Sequence, residues 1–341
     1  MTTLRLNASI PADIARAAAL LRAGELVAMP TETVYGLAAN ALAPAAVAKI
    51  FAAKGRPQDN PLIVHVAEAS QALPLVKAFP FTAQRLADAF WPGPLTFILQ
   101  REGHVPKIVS AGLSTLALRV PAHPAARALL REANVPLAAP SANRSGSPSP
   151  TLASHVLNDL NGKIAAVLDA GPCAVGIEST VLDLTSEIPL LLRPGGISAE
   201  QLEKVLGQPV AISPAIAHAI ENDAPTPSPG MKYKHYAPRA ELTLVQGGLQ
   251  AFIAYAEQEQ PDGLLVFDAD VSTVNCQLST VNCLGYGDSP EEQARRLFAR
   301  LREIDELGWR TALVRCPAKE GLGLGVYNRL LRASAFREVS V

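Results

Sequence analysis

The 341-residue sequence predicts two α/β domains in series: a sheet-rich first domain, then a smaller one with a parallel, doubly wound sheet. Three observations carry this. Short apolar runs that stop at Pro or Gly recur between helical periods up to residue 206. A proline-dense stretch then interrupts all periodicity. Beyond residue 241 strand and helix periods alternate, which is the pattern of a parallel sheet. The expected domains are therefore 1–206 and 241–341, joined by a linker at 207–240.

A first helix is expected from Pro11, which suits the first helical position, to Gly24, which suits its end. Residues 25–29 read as a buried strand stopped by Pro30, and residues 44–53 as a helix. Strands are expected at 61–66, 95–100, 115–120, 135–139, 165–169, 179–184 and 190–192, with helices at 85–90, 124–132 and 198–206. The linker holds Pro225, Pro227, Pro229 and Pro238, a density that forbids helix and central strand. Its MKYKHY segment (231–236) reads either as a passive spacer or as a ligand contact. After it come strand 242–246, helix 249–258, strand 263–267, helix 289–307, strand 311–315 and helix 326–335. STVNC occurs at 272–276 and again at 279–283, too few copies for a repeat architecture.

Composition bounds function. Hydrophobic residues make up 49% and charged residues 18%, a folding composition; aromatics are only 5%, so the core is filled by Ala, Val, Leu and Ile. The formal net charge of −1 advertises neither a nucleic acid nor a membrane, so any anion site must be local. Cys173, Cys276, Cys283 and Cys316 form no C-x-x-C pair and no zinc spacing, which suits reduced thiols in a cytoplasmic protein. The N-terminus lacks a basic start followed by an unbroken apolar run and does not read as a signal peptide. No stretch reaches the ~18 apolar residues of a spanning helix.

Four segments read as ligand-binding turns at strand ends. Pro30 to Gly36 (PTETVYG) offers two hydroxyls and a carboxylate between a strand and an expected helix, although Thr31 also suits a helix cap. Lys54 to Leu62 (KGRPQDNPL) places Lys54 and Arg56 two apart in a stretch stiffened by Pro57 and Pro61. The prolines end the preceding helix and are expected to hold the chain extended, so both cations share a face and form either a phosphate clamp or a solvated basic loop. Ala139 to Thr151 opens from an apolar strand into Ser141, Asn143, Ser145, Gly146, Ser147 and Ser149. Such a run suits phosphate or ribose oxygens, or an ordinary surface loop; it is not a Walker A sequence. Finally, Ser179 and Thr180 begin one strand while Arg193 ends the next. Arg119 has the same strand-end placement, and so does His65, which equally suits a satisfied core residue. There is no nucleophile elbow, no H-E-x-x-H and no reactive-looking Cys. The inventory is that of an enzyme acting by positioning and charge stabilisation of phosphoryl or nucleotidyl transfer.

PTETVYGL, KGRPQDNPL, FWPGPLTF, LRVPAHP, PLAAPSAN, GIESTV and LLRPGG, in this order, resemble the YrdC-like threonylcarbamoyl-AMP synthases, and SPGMKYKHYAP resembles the linker of their long, two-domain branch. The resemblance implies a twisted, mixed-sheet YrdC-like domain around a positively charged pocket, followed by a Rossmann-like parallel α/β domain. It implies a catalytic tetrad of Lys54, Arg56, Ser141 and Asn143. It implies L-threonine held by Thr33, His65, Arg119 and Ser179, and ATP held by Arg56, Asn60, Thr115, Ser141, Ser149 and Arg193, with Tyr236 folding back over the nucleotide. The implied reaction joins L-threonine, bicarbonate and ATP into threonylcarbamoyl-AMP, with release of pyrophosphate and water. Mg2+ would accompany ATP, and no tightly bound organic cofactor is expected. The product would pass to a threonylcarbamoyl transferase complex that modifies the adenosine next to the anticodon of ANN-decoding tRNAs. Direct tRNA or RNA contact is left open. Competing readings are a non-catalytic RNA-binding or regulatory relative, against which the intact tetrad argues, and a hydrogenase-maturation carbamoyl transferase, against which the missing C-x-x-C motifs argue. GLGLGVYNRLLRASA (321–335) shows glycines preceding a helix without dinucleotide-binding spacing, so a lid or docking role is expected for the second domain.

Overall fold

The computed structural model describes residues 2–218 and 236–341. The linker prolines 225, 227 and 229 and residues 231–235 of MKYKHY lie outside the described residues.

The chain opens with a short strand, β1 (Leu4–Asn7), then α1 (Pro11–Arg22) with Pro11 in its first turn and Gly24, in a left-handed conformation, behind it. β2 (Val27–Met29) runs into the Pro30 turn. The chain continues there not as a helix but as a strand, β3 (Gly36–Asn40), antiparallel to β2. Its five residues are small or apolar and nearly all buried, so sheet pairing wins over the helical reading. Then follow α2 (Pro44–Lys54), β4 (Ile63–His65), α3 (Phe81–Phe90), β5 (Leu95–Gln100), β6 (Thr115–Arg119), α4 (Pro124–Ala133) and β7 (Leu137–Ala138). A helix the sequence did not announce, α5 (Ala153–Leu160), precedes β8 (Ala166–Asp169), β9 (Thr180–Asp183) and β10 (Leu190–Arg193). α6 (Ala199–Leu206) starts in a capping box of Ser198 and Gln201, and a two-residue β11 (Ala211–Ile212) follows.

These eleven strands form one mixed sheet in the order β1-β8-β2-β3-β7-β4-β6-β5-β9-β10-β11. Parallel and antiparallel neighbours alternate irregularly, as in β4 beside β6 (parallel) and β6 beside β5 (antiparallel). Its main core joins Tyr35, Leu37, Ile50, Phe51, Leu86 and Phe97.

The second sheet contains β12 (Glu241–Gln246), β13 (Gly263–Val266), β14 (Asn282–Gly285), β15 (Thr311–Arg315) and β16 (Glu338–Ser340), ordered β14-β13-β15-β12-β16, and all its pairings are parallel. α7 (Leu249–Glu259), α8 (Val271–Gln277), α9 (Pro290–Glu306) and α10 (Gly321–Ala333) make the crossovers. Helices covering a parallel sheet are what the alternating period requires. The two STVNC copies adopt different structures. The first lies in α8, and the second runs through a turn into β14, where Cys283 pairs with Leu264. Tertiary pairing overrides an identical local sequence.

Gly321, Gly323 and Gly325 do not precede the last helix; they are its first turns. A Cβ at Gly325 would stand 2.8 Å from Ile177 Cδ1 and 3.4 Å from the Gly195 Cα, so the missing side chain lets α10 lie against the first domain. At Gly176, with φ +87°, an added Cβ would meet the Ala294 carbonyl oxygen of α9 at 2.4 Å. A buried apolar cluster spans the seam and joins Val34, Ile177 and Tyr236 to Phe298 and Leu301 of α9 and Val326 and Leu330 of α10.

Candidate active site

The turn after β2 is built by Thr31. Its hydroxyl donates to the Val34 carbonyl oxygen at 2.6 Å and accepts from the Thr33 and Val34 amides at 3.2 Å. Thr31 is thus a turn former and not a helix cap. The turn is fastened to the serine-rich loop: Tyr35 N donates to the Pro150 carbonyl and Ala142 N to the Tyr35 carbonyl, each at 2.8 Å. Two motifs far apart in sequence therefore share one edge of the cleft.

Across this edge β4 and β6 end together, because their parallel register pairs His65 with Arg119. Arg119 is buried and fully engaged along one side. Its Nε donates to the Gly93 carbonyl at 3.1 Å, one Nη to Thr33 Oγ1 at 2.9 Å, and the other Nη to the Glu32 carboxylate at 2.6 Å. A guanidinium carries five N–H donors, so donors remain for a ligand carboxylate. Burial pushes the Glu32 carboxyl up, but the charge and hydrogen bonds of Arg119, with backbone amides, hold it below its usual value. Glu32 was not anticipated; it orients Arg119. His65 is buried, and desolvation, reinforced by Arg119, lowers its pKa to about 3, so the imidazole is neutral at physiological pH. Its Nδ1 is buried without a hydrogen-bond partner among the described residues. A neutral ring facing a cleft with an unsatisfied nitrogen is suited to an uncharged polar group of a ligand.

Arg193, also buried in the cleft lining, reaches Ser179 twice, from Nε to the carbonyl at 3.0 Å and from Nη2 to Oγ at 3.2 Å. Ser179 Oγ also shares a 2.8 Å hydrogen bond with Thr96. Arg56 is half-buried; its Nη2 lies 3.3 Å from the carbonyl oxygens of Asn60 and Pro61, and burial lowers its pKa to about 10, so it stays a cation. Its Nε and the Asn60 Oδ1 are buried without partners among the described residues.

Lys54 departs from the expected geometry. It is the last residue of α2, and Gly55 behind it is left-handed, so Lys54 and Arg56 do not share a face of an extended loop. The Lys54 Nζ instead donates to the carbonyl oxygens of Ser141 and Asn143 at 2.5 and 2.6 Å. Burial, with the neighbouring charge of Arg56, pushes its pKa well below the usual lysine value. An amine keeps two N–H donors even when neutral, so both carbonyls stay satisfied.

Thr33, Arg56, His65, Arg119, Ser141, Ser179, Arg193 and Tyr236 all line one cleft. Lys54, Asn60, Thr115, Asn143 and Ser149 do not line it. Asn143 braces its own loop, its side-chain amide donating to the Arg144 and Ser147 carbonyls at 2.8 Å. The Ser149 hydroxyl donates to Glu178, a cleft-lining carboxylate that sequence reasoning passed over within GIESTV. Thr115 sits at the far end of β6 from Arg119, where it pairs with Gln100 of β5. Tyr236, left-handed at φ 64°, is buried in the cleft wall with its ring 5.4 Å from that of Phe298.

Comparison with known proteins bears directly on this cleft. A family model described as Telomere recombination matches residues 19–195, and one described as Threonylcarbamoyl-AMP synthase, C-terminal domain, matches 197–335. The threonylcarbamoyl-AMP synthase of Pyrococcus abyssi is 46% identical over 336 residues, covering 95% of each chain. The chain belongs to the threonylcarbamoyl-AMP synthase family. Another member of this family, from Bacillus subtilis, is 45% identical over 96% of this chain and 94% of its own. The crystal structure of P. abyssi Sua5 complexed with L-threonine superposes with a TM-score of 0.89 at 43% identity over the full length of both chains. No helix among the described residues is long and apolar enough to cross a membrane.

Proposed function

We propose that this chain condenses L-threonine, bicarbonate and ATP into threonylcarbamoyl-AMP, releasing pyrophosphate and water. The observation that carries the reading is that one cleft gathers two sets of polar groups. Arg119, Thr33 and a neutral His65 suit a small zwitterion, and Arg56 and Arg193 suit a polyanion. Family membership and the relative complexed with L-threonine support the assignment of the first set.

Arg119 pairs with the threonine carboxylate as a fork, held in orientation by Glu32. His65 and Thr33 orient the amine and hydroxyl, and Ser179 closes that end. The amine takes up CO2 derived from bicarbonate to form a carbamate. The carbamate oxygen then attacks the α-phosphorus of ATP, and pyrophosphate leaves. The carbamate is already anionic, so the attack needs no general base. Arg56 and Arg193 stabilise charge on the phosphates and Ser141 lines the same cleft, while Asn60 acts through Arg56 and Ser149 through Glu178. Lys54 and Asn143 act through the loop that carries Ser141. Mg2+ would accompany the polyphosphate and share its charge with Arg56 and Arg193. The product supplies a downstream transferase that modifies tRNA. Mass spectrometry of a reaction with isotope-labelled bicarbonate tests the scheme: the label belongs in a threonylcarbamoyl adenylate, and its absence there refutes the reading.

A further inference from the structure

Arg329, in α10 of the second domain, has no solvent exposure at all, yet it belongs to no part of the scheme above. Its Nε lies 3.0 Å from the Glu178 carboxylate, and Nη2 lies 3.2 Å from the Glu178 carbonyl oxygen. Nη1 donates to the Pro194 carbonyl. Residue 178 immediately precedes Ser179, and residue 194 immediately follows Arg193. One guanidinium thus splints the two strand ends that carry a pair of cleft residues. Its Cζ also stands 5.9 Å from the centre of the Tyr236 ring, another part of the cleft wall. The approach is built for closeness: Gly325, one turn before Arg329, leaves room for Ile177 and Gly195.

We propose that Arg329 is a positioning residue for the nucleotide side of the cleft, supplied by the second domain. It compensates the charge of Glu178, which lines the cleft and whose other side-chain hydrogen bond comes from the uncharged Ser149 hydroxyl. It also fixes the backbone on which Ser179 and Arg193 stand. Removing one partner of a buried ion pair leaves the other charge uncompensated, whereas removing both leaves none. Neutralising Glu178 therefore relieves the electrostatic part of the harm done by losing Arg329, while the hydrogen bonds to the Glu178 and Pro194 carbonyls stay lost.

This inference rests on the reading of the cleft as an ATP site, and direct binding separates the two. The full chain is titrated calorimetrically with ATP in Mg2+ and, separately, with L-threonine. Arg329→Ala is expected to weaken ATP binding at least about ten-fold and threonine binding by clearly less, because the uncompensated charge repels the polyphosphate while threonine loses only the support behind Ser179. Arg329→Met combined with Glu178→Gln is expected to bind ATP at least about three-fold more tightly than the single variant, without full recovery, because the two backbone hydrogen bonds stay lost. If Arg329→Ala does not fold, Arg329→Gln, which keeps hydrogen bonding without charge, takes its place with the same expectation. Unchanged ATP affinity in a folded single variant overturns the proposal, as does a double variant no better than the single one. A parent chain that binds ATP but forms no threonylcarbamoyl adenylate refutes the function and leaves this test intact.

Discussion

The Lys54 ammonium lies 2.6 Å from the backbone carbonyl oxygen of Asn143, inside the protein and out of the cleft. A lysine whose spacing from Arg56 suggests a phosphate clamp is instead the bracket that closes the serine-rich loop onto the end of α2. Lys54→Met therefore removes the donor to two buried carbonyls. It should cost about 2–4 kcal/mol of stability, read from urea unfolding. A variant as stable as the parent chain but inactive would return Lys54 to a direct role at the phosphates.

Arg56 is the opposite case. It lines the cleft, is only half-buried, and holds backbone carbonyls at a distance of 3.3 Å. Arg56→Ala should lower pyrophosphate release at least ~100-fold, about 2.7 kcal/mol of transition-state stabilisation, with little change in unfolding midpoint. Steady-state kinetics beside a thermal melt checks both halves.

Arg119→Lys keeps the charge but loses the fork that serves Gly93, Thr33 and Glu32 together. The KM for threonine should rise about ten-fold or more while that for ATP stays near its parent value. A uniform fall in turnover with both KM values unchanged would argue against the carboxylate contact.

His65 has a folded pKa of about 3 against an ordinary value of 6.5, so the unfolded chain binds a proton that the folded chain refuses. Its contribution to stability is complete above about pH 6.5 and is lost as pH falls from there towards 3. His65→Gln should lose about 1 kcal/mol less stability than the parent chain between pH 6 and pH 5, measured by urea titration at each pH. The neutral ring should also leave threonine binding without a titration in that range.

The elements most legible in the sequence were those punctuated by Pro and Gly. Pro11 and Gly24 bound the first helix, and the strands that end at His65, Arg119 and Arg193 bring those side chains to a common cleft. What misled was local. Gly55 turns the chain between Lys54 and Arg56, a conformation that their spacing does not encode. β3 is too small-residue-rich to announce itself as a strand before its partners β2 and β7 are known. What was hidden altogether is long-range. Glu178 and Arg329 stand 151 residues apart, and only the docking of α10 joins them. Arg302 of α9 likewise reaches Asp159 at 2.8 Å and the Pro148 carbonyl at 2.6 Å, so the second domain also supports the serine-rich loop. No periodicity in either segment signals such a contact.

The most direct measurement is pyrophosphate release from ATP by the full chain, with L-threonine and bicarbonate omitted one at a time. Release that requires both and falls to background without either is the predicted result. Release that persists without threonine, or that is absent with all three present, would contradict a cleft built to join them.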